Sequence, residues 1–96
     1  MNPQIPILGG LYVSLAGHDK GRTYVVTKII DSEFVMVCDG KYRNFVNPKR
    51  KRLKHLKALH GLAESTLLQK IMNNTAKDNE IHKQIQKFKE NSNVND

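Results

Sequence analysis

Ninety-six residues give room for one domain and an appendage. A single cysteine, Cys38, excludes an intrachain disulfide and suits a reducing compartment. The net charge of +7 is lodged in one part of the chain: residues 1–61 carry eleven Lys or Arg against four Asp or Glu, and residues 62–96 carry five of each. That asymmetry is the footprint of a polyanion-binding surface.

Met1 to Leu8 holds two prolines and reads as an irregular lead-in. Its apolar stretch Ile5-Pro6-Ile7-Leu8 is too short for a signal peptide, and no run approaches the roughly 18–20 apolar residues that span a bilayer. The expectation is a soluble, cytoplasmic protein. After Gly9-Gly10, the alternation of Leu11, Val13 and Leu15 with Tyr12, Ser14 and Ala16 predicts a first strand with one buried face. The loop Gly17-His18-Asp19-Lys20-Gly21-Arg22 follows; Gly and Asp tolerate the positive φ of a tight bend, and Lys20 and Arg22 beside its amides suggest a phosphate cradle. Thr23 to Ile30, rich in β-branched residues, predicts a second strand ending at the Asp31-Ser32 turn. Glu33 to Cys38 predicts a third. Asp39-Gly40 signals a two-residue type I′ hairpin into a fourth strand, Lys41 to Val46, stopped by Asn47-Pro48. The second and third strands are apolar on both parities, which favours a small curved barrel with its outside partly covered. The C-terminal segment is the candidate cover.

Leu53, Leu56 and Leu59 are spaced by three, which allows an early helix. Gly61 then separates this region from Leu62 to Met72, where Leu68, Ile71 and Met72 share a helical face with Leu67 at its edge. Thr75 to Asp78 fits a Thr-x-x-Asp cap opening a second helix, striped by Ile81, Ile85 and Phe88. That stripe is a surface for packing, for self-association or for a protein partner. Asn91 to Asp96 has almost nothing to bury and reads as disordered.

The run Gly10 to Arg22 resembles the KOW motif of ribosomal proteins and transcription elongation factors: a strand, a Gly-x-[Asp/Lys]-Lys-Gly-[Arg/Lys] loop and a second strand. Asp39-Gly40-Lys41, Arg43, Asn47-Pro48-Lys49 and Lys54-His55-Leu56 are similar to the small KOW proteins related to the large-subunit ribosomal proteins of eukaryotes and archaea, including short bacterial relatives. The likeness spans roughly residues 8 to 57. It implies an SH3-like five-stranded barrel, closed by a short fifth strand around Lys54-His55-Leu56 in place of the early helix. The expected fold is therefore mostly β with an α appendage: a barrel with its basic segment over 1–60, one or two helices over 61–90 and a tail over 91–96. The resemblance also implies RNA, where charge alone does not distinguish RNA from DNA.

No catalytic constellation is visible. His18, His55, His60 and His82 lack Cys partners at ligand spacing, so no metal or other cofactor is expected. Cys38, inside the run Phe34 to Val37, reads as a small hydrophobe. There is no Gly-x-Ser-x-Gly turn, and the Gly17–Arg22 loop lacks the Gly-Lys-[Ser/Thr] ending of a P-loop. A non-enzyme is expected. What carries function is the tract Lys49, Arg50, Lys51 and Arg52, joined by Lys54, His55 and Lys57, with Lys20, Arg22, Lys41 and Arg43 extending it. Arginines engage phosphates bidentately and lysines act as point charges. Tyr42 and Phe45 are candidate stacking platforms for an unpaired base. The leading expectation is an RNA-binding protein, associated with ribosomal RNA or the ribosome, that reads backbone phosphates. The alternative is a protein-interaction adaptor of the translation or transcription machinery. An acidic membrane surface is set aside because no apolar insertion face adjoins Lys49 to Arg52.

Overall fold

A computed structural model describes residues 4–93. They form strands β1 (Gly10–Ser14), β2 (Thr23–Ile29), β3 (Phe34–Cys38) and β4 (Lys49–Arg52), a single 3-10 turn over Leu53–His55, β5 (Leu56–Leu62), and helices α1 (Ser65–Met72) and α2 (Asp78–Asn93). The fold is mostly β with an α appendage. All pairings are antiparallel and the strand order is β4-β3-β2-β1-β5. The hydrogen-bonded sheet is open, with β4 and β5 as its edges. The 3-10 turn joins these two strands along the chain and continues their ladders: the Leu53 amide donates to the Glu33 carbonyl beside β3 at 2.7 Å, and the His55 carbonyl accepts the Leu15 amide beside β1 at 2.8 Å. Gln4 straps the same turn by donating to the Leu53 and Leu56 carbonyls.

Both parities of the central strands are buried because the sheet has two covers. Its inner face holds Tyr12, Tyr24, Val26, Val35 and Val37, packed with Leu53 and Leu56 of the turn and β5. Its outer face meets the helices through Leu11, Val25 and Cys38, packed against Ala63, Leu67, Ile71, Ile81 and Ile85. The first strand accordingly buries Tyr12 and Ser14 as well as Leu11, while Leu15, expected inside, is 46 % exposed. Burial pushes the Cys38 thiol up to about 12, with the charges of Asp78 and Asp39 adding to it. It is a packing residue.

Several local expectations are corrected. Lys41 to Val46 is irregular, and the fourth strand is the basic tract itself. Asp39-Gly40 makes no two-residue hairpin. Only Gly40 has positive φ there, and the Asp39 carboxylate accepts the amides of Lys41, Tyr42 and Arg43 at 2.9–3.0 Å, winding a longer loop. The supposed fifth strand at Lys54-His55 is the 3-10 turn, and β5 begins at Leu56 and runs through Gly61, which separates nothing. In α1, Leu67 and Ile71 are the buried pair and Met72 is 65 % exposed. Thr75 does not cap α2: its hydroxyl faces the Lys70 carbonyl at 3.5 Å, while the Glu80 carboxylate accepts the Lys77 amide. Helix α2 continues through Asn91–Asn93, where disorder was expected; Val94 to Asp96, like the start of the lead-in, lie outside the described residues. Among the described residues, no helix is long and apolar enough to cross a membrane.

Candidate nucleic-acid interface

The Gly17–Arg22 loop is organised from beneath by Asp19, whose side chain is 3 % exposed. One carboxylate oxygen accepts from the Ser14 hydroxyl at 2.9 Å and the Lys51 ammonium at 3.0 Å. The other accepts from the Tyr24 phenol at 2.6 Å and the Lys49 ammonium at 3.1 Å. Lys51 also donates to the Ala16 carbonyl at 3.0 Å. Four groups from three strands therefore converge on one carboxylate. Burial alone would push that carboxyl up; the hydrogen bonds from Tyr24, Lys51, Lys49 and Ser14 outweigh it and hold the group well below the usual carboxylate range. Burial and the bond to Asp19 push the Tyr24 phenol up to about 12.

This network explains why four consecutive cations form a strand. Lys49 and Lys51 share the inner face with their partners Val37 and Val35, lay their stems over the core and end on Asp19. Arg50 and Arg52 alternate to the outer face, opposite Met36 and Phe34. Both guanidiniums lie over the Phe34 ring, at 4.0 and 5.0 Å from its centroid.

The tract is therefore not one surface. Lys51, expected on RNA, is 8 % exposed and neutralised, which makes it structural. Lys49 is partly exposed and shares that carboxylate. Arg50 and Arg52 face away from the loop. The phosphate cradle is narrowed: the amides of Lys20, Gly21 and Arg22 are donated to the Gly17, Ser14 and Asp19 carbonyls, so these three N–H groups, the ones beside the two cations, are already engaged. Asp19 itself has no positive φ, which is confined in this loop to Gly17 and Gly21.

A second cluster survives. Lys20 is exposed at the loop tip. Arg22 reaches over the Tyr42 ring at 4.3 Å, and the Lys41 ammonium lies 5.3 Å from the same ring. The two loops thus meet around an aromatic ring that is 63 % exposed. Helix α2 contributes to the same depression through His82, Gln86 and Lys89, with Asp39 on its floor. Lys89 was missed because residues 62–96 are neutral as a whole, and charge counting by segment hides a single lysine turned toward a distant loop. Arg43 is half-buried in the wound turn, and its carbonyl accepts the Asp39 and Gly40 amides. Lys54 and His55 lie exposed on the 3-10 turn beside Leu15, and Lys57 is exposed on β5 opposite Val13. Phe45, the other proposed platform, packs half-buried against the helical core.

The helical stripe offered to a partner is spent internally. Ile81 and Ile85 are buried, and the Phe88 ring lies against Gly61. Beside the tract, Met36, opposite Arg50, lines a groove in the outer face of the sheet. Comparison with known proteins found no matching family model and no matching curated protein.

Proposed function

We propose that the chain is an RNA-binding protein that recognises structured RNA through its sugar–phosphate backbone, binding rather than catalysing. The observation that carries this reading is the meeting of Arg22, Lys41 and Lys89 around the exposed Tyr42 ring, with Lys20 exposed in the loop that carries Arg22. Arg22 and Lys41 supply phosphate contacts, and Tyr42 offers a face on which an unpaired base stacks. Asp19 holds the loop against β4, so the cations are presented on a fixed frame. The KOW-like sequence from Gly10 to Arg22 supports RNA, and ribosomal RNA in the cytoplasm, as the target. The strand order supports an SH3-like barrel as the frame.

The test is fluorescence anisotropy of a structured ribosomal RNA fragment across a salt series. Four phosphate contacts give a slope of log K against log salt of about −3 to −4. Arg22→Ser and Lys41→Ser each reduce that slope by about 1. Binding that is insensitive to salt and to both substitutions overturns the reading.

A further inference from the structure

Outside the helical cover, the outer face of the sheet opens into a groove of about 1180 Å³ between the ends of β2 and β3, the Asp39–Pro48 loop and the C-terminal end of α1. Four large apolar side chains stand open to solvent around it: Val46 at 88 %, Met72 at 65 %, Ile30 at 43 % and Ile29 at 39 % exposure. Single exposed apolar residues are ordinary, but a cluster lining one concavity marks an interaction surface.

Its charge is one-sided. Among the described residues, Lys28 is the only ionisable side chain lining the groove, and no Asp or Glu lines it. Lys28, Met36 and Arg50 form one row across β2, β3 and β4, so a second cation stands immediately beside the floor. The Arg50 guanidinium lies over the neighbouring Phe34 ring, with that of Arg52 on the same ring. In the adjoining β2–β3 turn, Asp31 Oδ1 accepts the Glu33 and Phe34 amides, and neither Asp31 nor Glu33 lines the groove.

We propose that this groove docks an amphipathic segment of another protein whose apolar stripe is flanked by carboxylates. Aliphatic and thioether side chains make up most of its lining, with Thr27, Asn74 and Thr75 among them, and the one aromatic ring, Phe45, is half-buried; nucleobases are instead held on open aromatic faces. The apolar stripe of the partner covers Ile29, Ile30, Val46 and Met72, and its carboxylates reach Lys28 and Arg50. The groove and the cluster around Tyr42 use different side chains, so one chain can hold RNA and a protein together.

The experiment is an NMR titration of the full, isotopically labelled chain with a designed helical peptide of about 16 residues, long enough to hold a helix. It bears leucines on one face and glutamates on both flanks, and a twin peptide carries lysines on the flanks. The expected result is shifts of the amides of Lys28, Ile29, Ile30, Met36, Val46 and Met72, with the glutamate form binding at least about tenfold tighter. Val46→Asp with Met72→Glu, both at exposed positions, abolishes those shifts and leaves RNA binding intact. Lys28→Glu with Arg50→Glu reverses the preference between the twins. Absence of shifts at the groove with the glutamate peptide, or equal affinity for the twins, overturns the proposal. So does a mass that rises with protein concentration and is abolished by Val46→Asp, which would seat a second copy there. Binding to phosphatidylserine vesicles that the same substitution removes would assign the groove to a lipid surface and overturn it equally.

Discussion

Two loops, Gly17–Arg22 and Asp39–Pro48, are each organised by a buried aspartate, and they are built on opposite principles. Asp39 gathers the amides of the three residues from Lys41 to Arg43, so its bonds close within five residues of chain. Asp19 gathers side chains from β1, β2 and β4, two of them about thirty residues away. The first is a local turn and the second a tertiary lock. A turn of the Asp39 kind fixes the shape of its own loop, whereas the Asp19 network fixes where one loop stands relative to a distant strand. Only the second can bring separate cations into a set geometry.

The sharpest way to break this contrast is to remove each carboxylate. Asp19→Ala leaves the buried Lys51 ammonium without its charge partner, and breaking a buried pair from one side costs about 3–5 kcal/mol. Urea denaturation should show that loss. Asp39→Ala strands neutral amides in a loop whose Lys41 and Tyr42 are exposed, and costs about 1–3 kcal/mol. If Lys51→Met is added to Asp19→Ala, much of the larger loss should return, because the orphaned charge is gone.

Gly40→Ala ranks next. Gly40 has φ +78°, and a Cβ there runs into the Asp78 carbonyl oxygen at the start of α2. The strained conformation and the collision together cost about 2–4 kcal/mol. Gly21, at φ +90°, has nothing within 4 Å of an added Cβ, so Gly21→Ala carries the conformational cost alone, about 1–2 kcal/mol. Thermal unfolding should order the two variants accordingly.

Acid sharpens the comparison without mutation. The Asp19 carboxyl is held below the ordinary range in the folded chain, whereas in the unfolded chain it titrates at about 4. Below that pH the unfolded state binds a proton that the folded state refuses, so stability is complete above about pH 4 and falls as pH drops toward the folded value. Asp19→Asn removes this dependence. Denaturation midpoints between about pH 2 and 5 should slope in the parent protein and flatten in the variant.

The limits of the sequence follow the same division. Tight, local features were legible: the glycines of the Gly17–Arg22 loop, the Asp31 turn whose carboxylate accepts the Glu33 and Phe34 amides, the first three strands and both helices. Covers on both faces of the sheet were foreseeable from the doubled apolar parity of β2 and β3. Features decided by distant partners were not. Lys49 to Arg52 has poor intrinsic strand propensity and became β4 because Asp19 accepts both of its lysines. Lys41 to Val46 has good strand composition and remained a loop because Asp39 winds its start and the Asp78 carboxylate takes the Phe45 amide. One legible signal went unused: a strand of alternating Lys and Arg needs a buried acid on one side, and the acids before it in the chain number only four.

The smallest expected effect lies on the two arginines that a charge count ranks with the lysines. Arg50 and Arg52 stack on Phe34 at the outer face, and an exposed cation–π contact contributes about 0.5–1 kcal/mol. Arg50→Ser and Arg52→Ser should therefore cost no more than that each, and should leave the salt slope of RNA binding unchanged. Arg22→Ser breaks a contact of the same kind on Tyr42 together with a polar contact to the buried Tyr24 phenol, and it should lower the slope by about 1. Unequal slopes would separate the face that meets phosphate from the face that merely carries charge. Equal slopes would return the whole basic tract to the RNA and dissolve the distinction between its inner and outer halves.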